Sequence, residues 1–304
     1  MNQFIKVGVV LTVMLAGGAA SGVTAESGGQ QAAASVLASY NEGLGLLKDG
    51  KQDAALAAFT RAARDGRRMT EPDVRAMVSS SAEKAGMILM EQGKLEQAEQ
   101  MGYRAIVANT RNALAMNTLG LIFRRQGQDD LAVRWFKKAI GVDPKLVSSY
   151  QNLADMMMAK RDFANAAQYL TSALEADPSD VRLLISLAGV YERDSKPDLA
   201  EKVWKTLLQK TMDSPRAKLQ LGGFYMRTGA FAKARPLFLE VASANPKLPE
   251  ARLLLIRLLA REGKTSEAQK ACRILLKDFP DDLTVRDELA ALMSDAGARK
   301  EKKP

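Results

Sequence analysis

Alanine returns every 34 residues through most of this chain, at Ala98, Ala132, Ala166, Ala200, Ala234 and Ala268, with Ala55 a further 43 residues before the first. A period of this length dictates architecture, because each repeat is one supersecondary unit that buries its apolar face only by stacking on a neighbour. Other positions keep the same phase. Twelve residues before each alanine stand Gly43, Gly86, Gly120, Ala154, Ala188 and Gly222, with Ile256 the bulky exception. Five before it stand Gly50, Gly93, Gly127, Gly229 and Gly263, interrupted by Arg161 and Ser195. Four after it come Phe59, Phe136, Leu170, Trp204, Phe238 and Cys272, with Gly102 out of pattern and Tyr103 beside it; twelve after it come Pro144, Pro178, Pro246 and Pro280.

The pattern describes two antiparallel helices joined by a turn. Small residues midway along each helix let two backbones approach closely. Glycine at the turn supplies the left-handed conformation that ends the first helix. The aromatic of the second helix fills the layer between hairpins. Proline closes the repeat because it cannot continue a helix, and Asp143 and Asp177 before it suit the turn. Ala, Leu, Gln, Lys and Arg dominate, all good helix formers, and no segment after residue 35 alternates with period two. The expected fold is therefore all-α, with seven helix-turn-helix repeats over residues 36–282, near 36–69, 79–112, 113–146, 147–180, 181–214, 215–248 and 249–282. Nine extra residues separate the first two repeats. Within them Thr70 is expected to cap a helix that starts near residue 71, carries Pro72 and Asp73 in its first turn and projects beyond its neighbours. After the seventh repeat, Val285, Leu289, Leu292 and Ala296 share one helical face, predicting a capping helix over 283–297 and a basic tail over 298–304.

These residues resemble the tetratricopeptide repeat family, whose pattern places a small residue, an aromatic, Ala, an aromatic and Pro within 34 residues. Residues 113–146 match it best, with Leu119, Gly120, Phe123, Gly127, Ala132, Phe136, Ala139 and Pro144; the second repeat has lost its proline and its second aromatic. The resemblance implies a right-handed superhelical solenoid and a concave groove, lined by the first helix of each pair, that receives a protein or peptide segment. Projected onto this chain, that groove takes in Asn117, Leu121 and Arg124, then Gln151, Asp155 and Met158, then Ile185, Glu192 and Arg193. Leu219, Met226, Arg227, Leu253, Arg257 and Arg261 complete it. The Lys and Asn set with which chaperone-binding relatives hold a C-terminal carboxylate is missing.

Four arginines share one repeat phase, Arg125, Arg193, Arg227 and Arg261, with Arg124 and Arg257 nearby and Ala159 breaking the series. Such a basic ladder suits an acidic segment, although a cation near a helix C-terminus also serves the helix dipole. In Met156-Met157-Met158 the middle residue holds the inward phase and Met158 faces the groove; filling of the core is the favoured role. Cys272 reads as a small buried hydrophobe and Trp204 as packing, with Trp135 less constrained. There is no histidine and one cysteine, which removes the commonest general base, a Ser-His-Asp triad, an internal disulfide and a cysteine-based metal site. No cofactor, metal or catalytic residue is expected.

Residues 1–25 read as a secretory signal peptide. Lys6 provides the positive start, Val7 to Leu15 the apolar stretch, and Val23-Thr24-Ala25 the small residues before a cut ahead of Glu26, with Ala19 and Ala20 as alternative sites. An uncleaved membrane anchor is the rival reading of the same segment. Leu15-Ala16-Gly17 looks like the start of a lipobox, yet Gly18 stands where the lipidated cysteine belongs, so no lipid anchor is expected. A flexible linker is expected over residues 26–35. Lys6 is the one charged residue of residues 1–25, leaving 43 basic against 35 acidic residues beyond it. After export to the periplasm, acidic proteins, phospholipid headgroups or polysaccharides, and not nucleic acid, are the matching anions, with solubility alone the favoured role of the charge. Together these readings describe an exported, non-catalytic scaffold or adaptor in the assembly of an envelope machine such as a pilus, a secretion apparatus or an exopolysaccharide exporter. Binding of an anionic polysaccharide along the basic groove is the alternative.

Overall fold

The computed structural model describes residues 25–300, with side chains from Gly29 to Met293. Residues 1–24 of the expected signal peptide therefore lie outside the described residues, as does the end of the basic tail. Among the described residues there are fifteen α-helices and no strand. Helices α1 (Ala25–Lys48), α2 (Gln52–Asp65), α3 (Pro72–Glu91), α4 (Leu95–Ala108), α5 (Ala113–Arg125), α6 (Asp129–Val142) and α7 (Val147–Ala159) belong to a first compact unit. Helices α8 (Phe163–Ala176), α9 (Val181–Arg193), α10 (Pro197–Lys210), α11 (Pro215–Arg227), α12 (Phe231–Ala244), α13 (Pro249–Arg261), α14 (Thr265–Asp278) and α15 (Leu283–Lys300) belong to a second, apart from residues 175–177, which group with the first.

In each unit consecutive helices pair as antiparallel hairpins, and successive hairpins stack. The glycines twelve residues before each repeat alanine explain how closely they do so. A Cβ on Gly120 would lie 2.5 Å from Phe136 Cε1, and one on Gly222 would lie 2.3 Å from Phe238 Cε1. The rings of Phe136 and Phe238 thus press directly on the backbone of the preceding helix. In the second repeat the arrangement is inverted: Gly102 replaces the aromatic, and Leu119 of the next hairpin fills the space, 2.6 Å from where its Cβ would be. Tyr103, displaced one position outward, packs edge-on against Phe123 and Trp135, at 6.4 and 5.8 Å between ring centroids.

The turns obey one rule. Gly50, Gly93, Gly127, Gly229 and Gly263 all have φ between 74° and 80°. The next amide reaches back to a carbonyl five residues earlier, as Lys51 N to Leu46 O and Gln128 N to Phe123 O, which satisfies carbonyls the helix end would otherwise leave open. Arg161 and Ser195 take the same left-handed backbone at φ 60° and 55° without being glycine.

Several expectations are corrected. Residues 26–35 are not a linker but the opening turns of α1, whose inner side buries Ala33 and Val36. Thr70 does not cap α3: Glu71 holds the cap position, with no side-chain cap bond, and Pro72 starts the helix. The early turns of α3 do not project into solvent. Val74, Met77 and Val78 are buried, and Val78 lies so close to Gly66 that a Cβ there would come within 2.1 Å of it. Met156, not Met157, is the buried member of its triplet. The last helix, α15, buries Val285 and Leu292 against α14, where Cys272 donates to the Val285 carbonyl at 3.5 Å.

Candidate binding groove

The first helices of the hairpins present one residue each at a common phase, eleven before the repeat alanine: Leu44, Met87, Leu121 and Asp155 in the first unit, Gly189, Gly223 and Arg257 in the second. Leu44 and Met87 are exposed and Leu121 half-buried, so the first unit offers an apolar row that ends at the exposed carboxylate of Asp155. In the second unit the same phase drops to glycine twice, and a pocket of about 920 Å³ opens there.

Four of the residues expected in the groove meet in that pocket: Ile185, Glu192 and Arg193 from α9, and Arg227 from α11. They are joined by Gly189, Ser195, Pro197, Trp204, Phe224 and Thr228, which sequence reasoning had left out or assigned to packing. Gly189 could have been found by reading the phase at which other repeats carry Leu or Met. The Trp204 contribution could not, since its aromatic phase points to the core, and the ring is indeed buried with only its edge reaching the pocket.

Hydrogen bonding fixes the polar rim. The Glu192 carboxylate accepts from Trp204 Nε1 at 2.9 Å and from Arg227 Nε and Nη2 at 2.8 and 2.9 Å. This two-pronged guanidinium–carboxylate contact fixes geometry as well as charge. Both oxygens of the carboxylate are thereby engaged, and α9, α10 and α11 are tied at one point. Arg193, exposed at the mouth, has no ion pair among the described residues and gives the rim a net positive charge.

The basic ladder divides into two kinds. Arg125 donates to the carbonyl of Met90 and Arg227 to Glu192, each reaching the residue 35 positions earlier. These arginines are staples between successive first helices. Arg193 and Arg261 are exposed and have no ion pair among the described residues. Arg257 is held by Glu288 of α15 at 2.7 Å, and Arg124 is half-buried.

The remaining groove residues separate by burial. Asn117 and Leu253 do not face a groove. Asn117 is buried, its Oδ1 accepting from Ser149 Oγ and Asn152 Nδ2, both at 3.0 Å, and Leu253 lies in the core formed with α14 and α15. An amide that bridges two successive helices inside the stack is a structural residue. Leu219 and Met226 are partly buried against the core of α9–α12, while Gln151 and Met158 are half-buried. No group of three or more Cys, Asp or Glu side chains that could hold a metal ion occurs among the described residues, and no helix there is long and apolar enough to cross a membrane.

Sequence models described as Tetratricopeptide repeat match residues 83–146, 157–221 and 225–293. Among curated proteins, the chain is 26% identical over 231 residues to the Cellulose synthase 1 operon protein C of Komagataeibacter xylinus, covering 71% of this chain and 17% of that protein. It is 25% identical over 228 residues to the Cellulose synthase operon protein C of Xanthomonas axonopodis pv. citri, covering 70% of this chain and 15% of that one. The chain thus spans less than a fifth of the length of these relatives. Among solved structures, it is similar to the C-terminal part of a TPR repeat-containing protein from Cytophaga hutchinsonii, with a TM-score of 0.62, 16% identity and coverage of 82% and 99% of the two chains. It is also similar to pilF of Pseudomonas aeruginosa, with a TM-score of 0.51, 20% identity and coverage of 73% and 99%.

Proposed function

The chain belongs to the tetratricopeptide repeat family, whose members generally bind protein or peptide segments, and from that membership we propose that it is a non-catalytic scaffold exported to the periplasm. The observation that carries the reading is the open pocket on α9, α10 and α11, where the apolar surfaces of Ile185, Trp204 and Phe224 meet a charged rim of Glu192, Arg193 and Arg227. A partner segment lies in the groove, gaining affinity from apolar contact and direction from arginine. The bacterial relatives named for cellulose synthase operons favour exopolysaccharide export over a pilus or a secretion apparatus as the machine served.

Affinity capture from envelope extract tests the proposal, with the full chain and an Arg193→Glu/Arg261→Glu variant run side by side. These two members of the ladder have no ion pair among the described residues, so reversing them alters the groove without breaking a staple. A defined envelope protein retained by the wild type and lost from the variant supports the scaffold. Retention of anionic polysaccharide alone, with binding that fades steeply as salt rises, would replace the protein partner with a carbohydrate one.

A further inference from the structure

Glycine is among the least favourable residues in a helix interior, and in this chain five helical glycines have a packing reason to be there. Gly43, Gly86, Gly102, Gly120 and Gly222 each lie against a side chain or backbone that leaves little or no room for a Cβ. Gly29, Gly45, Gly141 and Gly189 differ, in that a Cβ built on any of them meets no heavy atom within 4 Å; of these four, Gly189, in the ordinary helix α9, is the one that lines the pocket. Nothing inside the protein requires the side chain to be missing. Its absence makes volume instead: Gly189 forms part of the wall of the 920 Å³ pocket, beside the apolar surfaces of Ile185, Pro197, Trp204 and Phe224. The next first helix repeats the omission at Gly223, where a Cβ would touch only Arg227 Nη1, at 3.5 Å.

From this geometry, and resting on the scaffold reading, we infer that the pocket at Gly189 receives one large aromatic side chain of an acidic partner segment. The aromatic follows from the walls: two rings and two aliphatic surfaces border a space at the phase where the first unit carries Leu44, Met87 and Leu121. Buried aromatic anchors in such pockets carry most of the binding energy of a segment. The acidic flank follows from charge. Glu192 is neutralised by Arg227 and capped by Trp204, so the groups left to a ligand at the mouth are the Arg193 guanidinium and the outer edge of Arg227. A carboxylate beside the anchor pairs with Arg193, and a basic segment meets repulsion there.

The probe is a fluorescein-labelled heptapeptide, Gly-Glu-Asp-Trp-Asp-Glu-Gly, with the same peptide carrying Ala for Trp as its comparison, both titrated with the full chain by fluorescence anisotropy. The Trp peptide binds, and replacing Trp by Ala weakens it by about tenfold or more. Gly189→Leu, which fills the pocket from a position with open space, weakens the Trp peptide by a similar factor while its circular dichroism and melting temperature hold or rise. Arg193→Glu, a surface change, weakens it several-fold. Equal binding of the two peptides, no binding of either, or unaltered binding to a folded Gly189→Leu chain overturns the inference. The two readings fail separately: an envelope protein captured equally by wild type and Gly189→Leu keeps the scaffold and removes the pocket. Conversely, Trp-dependent peptide binding with no captured envelope protein keeps the pocket and removes the scaffold.

Discussion

Glu201 on α10 receives Lys205 at 2.8 Å, Lys233 at 3.1 Å and the Tyr225 hydroxyl at 3.0 Å. The Lys205 hydrogen bond, with those of Lys233 and Tyr225, outweighs burial and holds its pKa at about 2, against an ordinary 4.5. Burial together with the same carboxylate pushes the Tyr225 phenol up to about 12. A depressed carboxylate stabilises the fold above its unfolded pKa and loses that contribution as pH falls toward its folded one. Glu201→Gln should therefore lower the melting temperature at pH 7, with the difference closing between about pH 4.5 and 2. Glu83 on α3 behaves oppositely. Burial raises its pKa, against the pull of Lys84 and of the Thr118 hydroxyl, so its contribution is present below 4.5 and lost as pH rises through the raised value. Glu83→Gln should match the wild type in acid and melt at or above it at pH 8, both read by differential scanning fluorimetry. The glycines give a second contrast. Gly222→Ala forces a methyl into the Phe238 ring and should destabilise by about 1–3 kcal/mol. Gly189→Ala, with nothing in its way, should stabilise by about 0.5–1 kcal/mol. Urea midpoints of the two variants should move in opposite directions.

At the scale of elements, Asn112 joins three helices. Its Oδ1 caps α5 through the Ala115 amide at 2.9 Å, and its Nδ2 donates to Ser79 Oγ on α3 at 2.9 Å. Ser79 in turn donates to the Ala105 carbonyl near the end of α4 at 2.7 Å. This relay takes the place of the proline turn that closes four other repeats and that the second repeat lacks. Asn112→Ala removes a helix cap and leaves Ser79 one partner short, a loss of about 1–2 kcal/mol, to be measured as a shift of the equilibrium unfolding midpoint with an unchanged slope. A sequence pattern cannot disclose such a relay, because it depends on three residues, 79, 105 and 112, that no repeat phase relates. For the same reason Thr70 looked like a cap: its composition suits the role, but the chain places Glu71 at the helix start.

Across the whole molecule, legibility followed periodicity. The alanine phase, the turn glycines and the buried aromatics could be read directly, because each is a local requirement that recurs in most of the seven repeats. The groove was half legible. Residues of one phase were assigned one role, but Arg125 and Arg227 reach back to the preceding helix while Arg193 and Arg261 stay exposed. Which fate an arginine meets depends on what stands 35 residues earlier, a pairing that a phase-by-phase reading does not inspect. In a linear array each hairpin leans on its neighbours alone, which has a measurable result. Phe136→Ala, deleting a fully buried ring from α6, should remove about 3–5 kcal/mol. Hydrogen exchange should show the loss of protection concentrated in α5 and α6, with the amides of α13 and α14 changing least.

Cys272 is the one thiol in the chain, and α15 lies over it with the Val285 carbonyl against its sulfur. A solitary thiol on a surface would join two copies wherever the surroundings oxidise. Here the sulfur lies behind the last helix, so a disulfide between two copies, its two electrons passing to the oxidant, forms only where that helix has lifted in both. The rate at which such dimers accumulate under an added oxidant would report how often the C-terminal end opens.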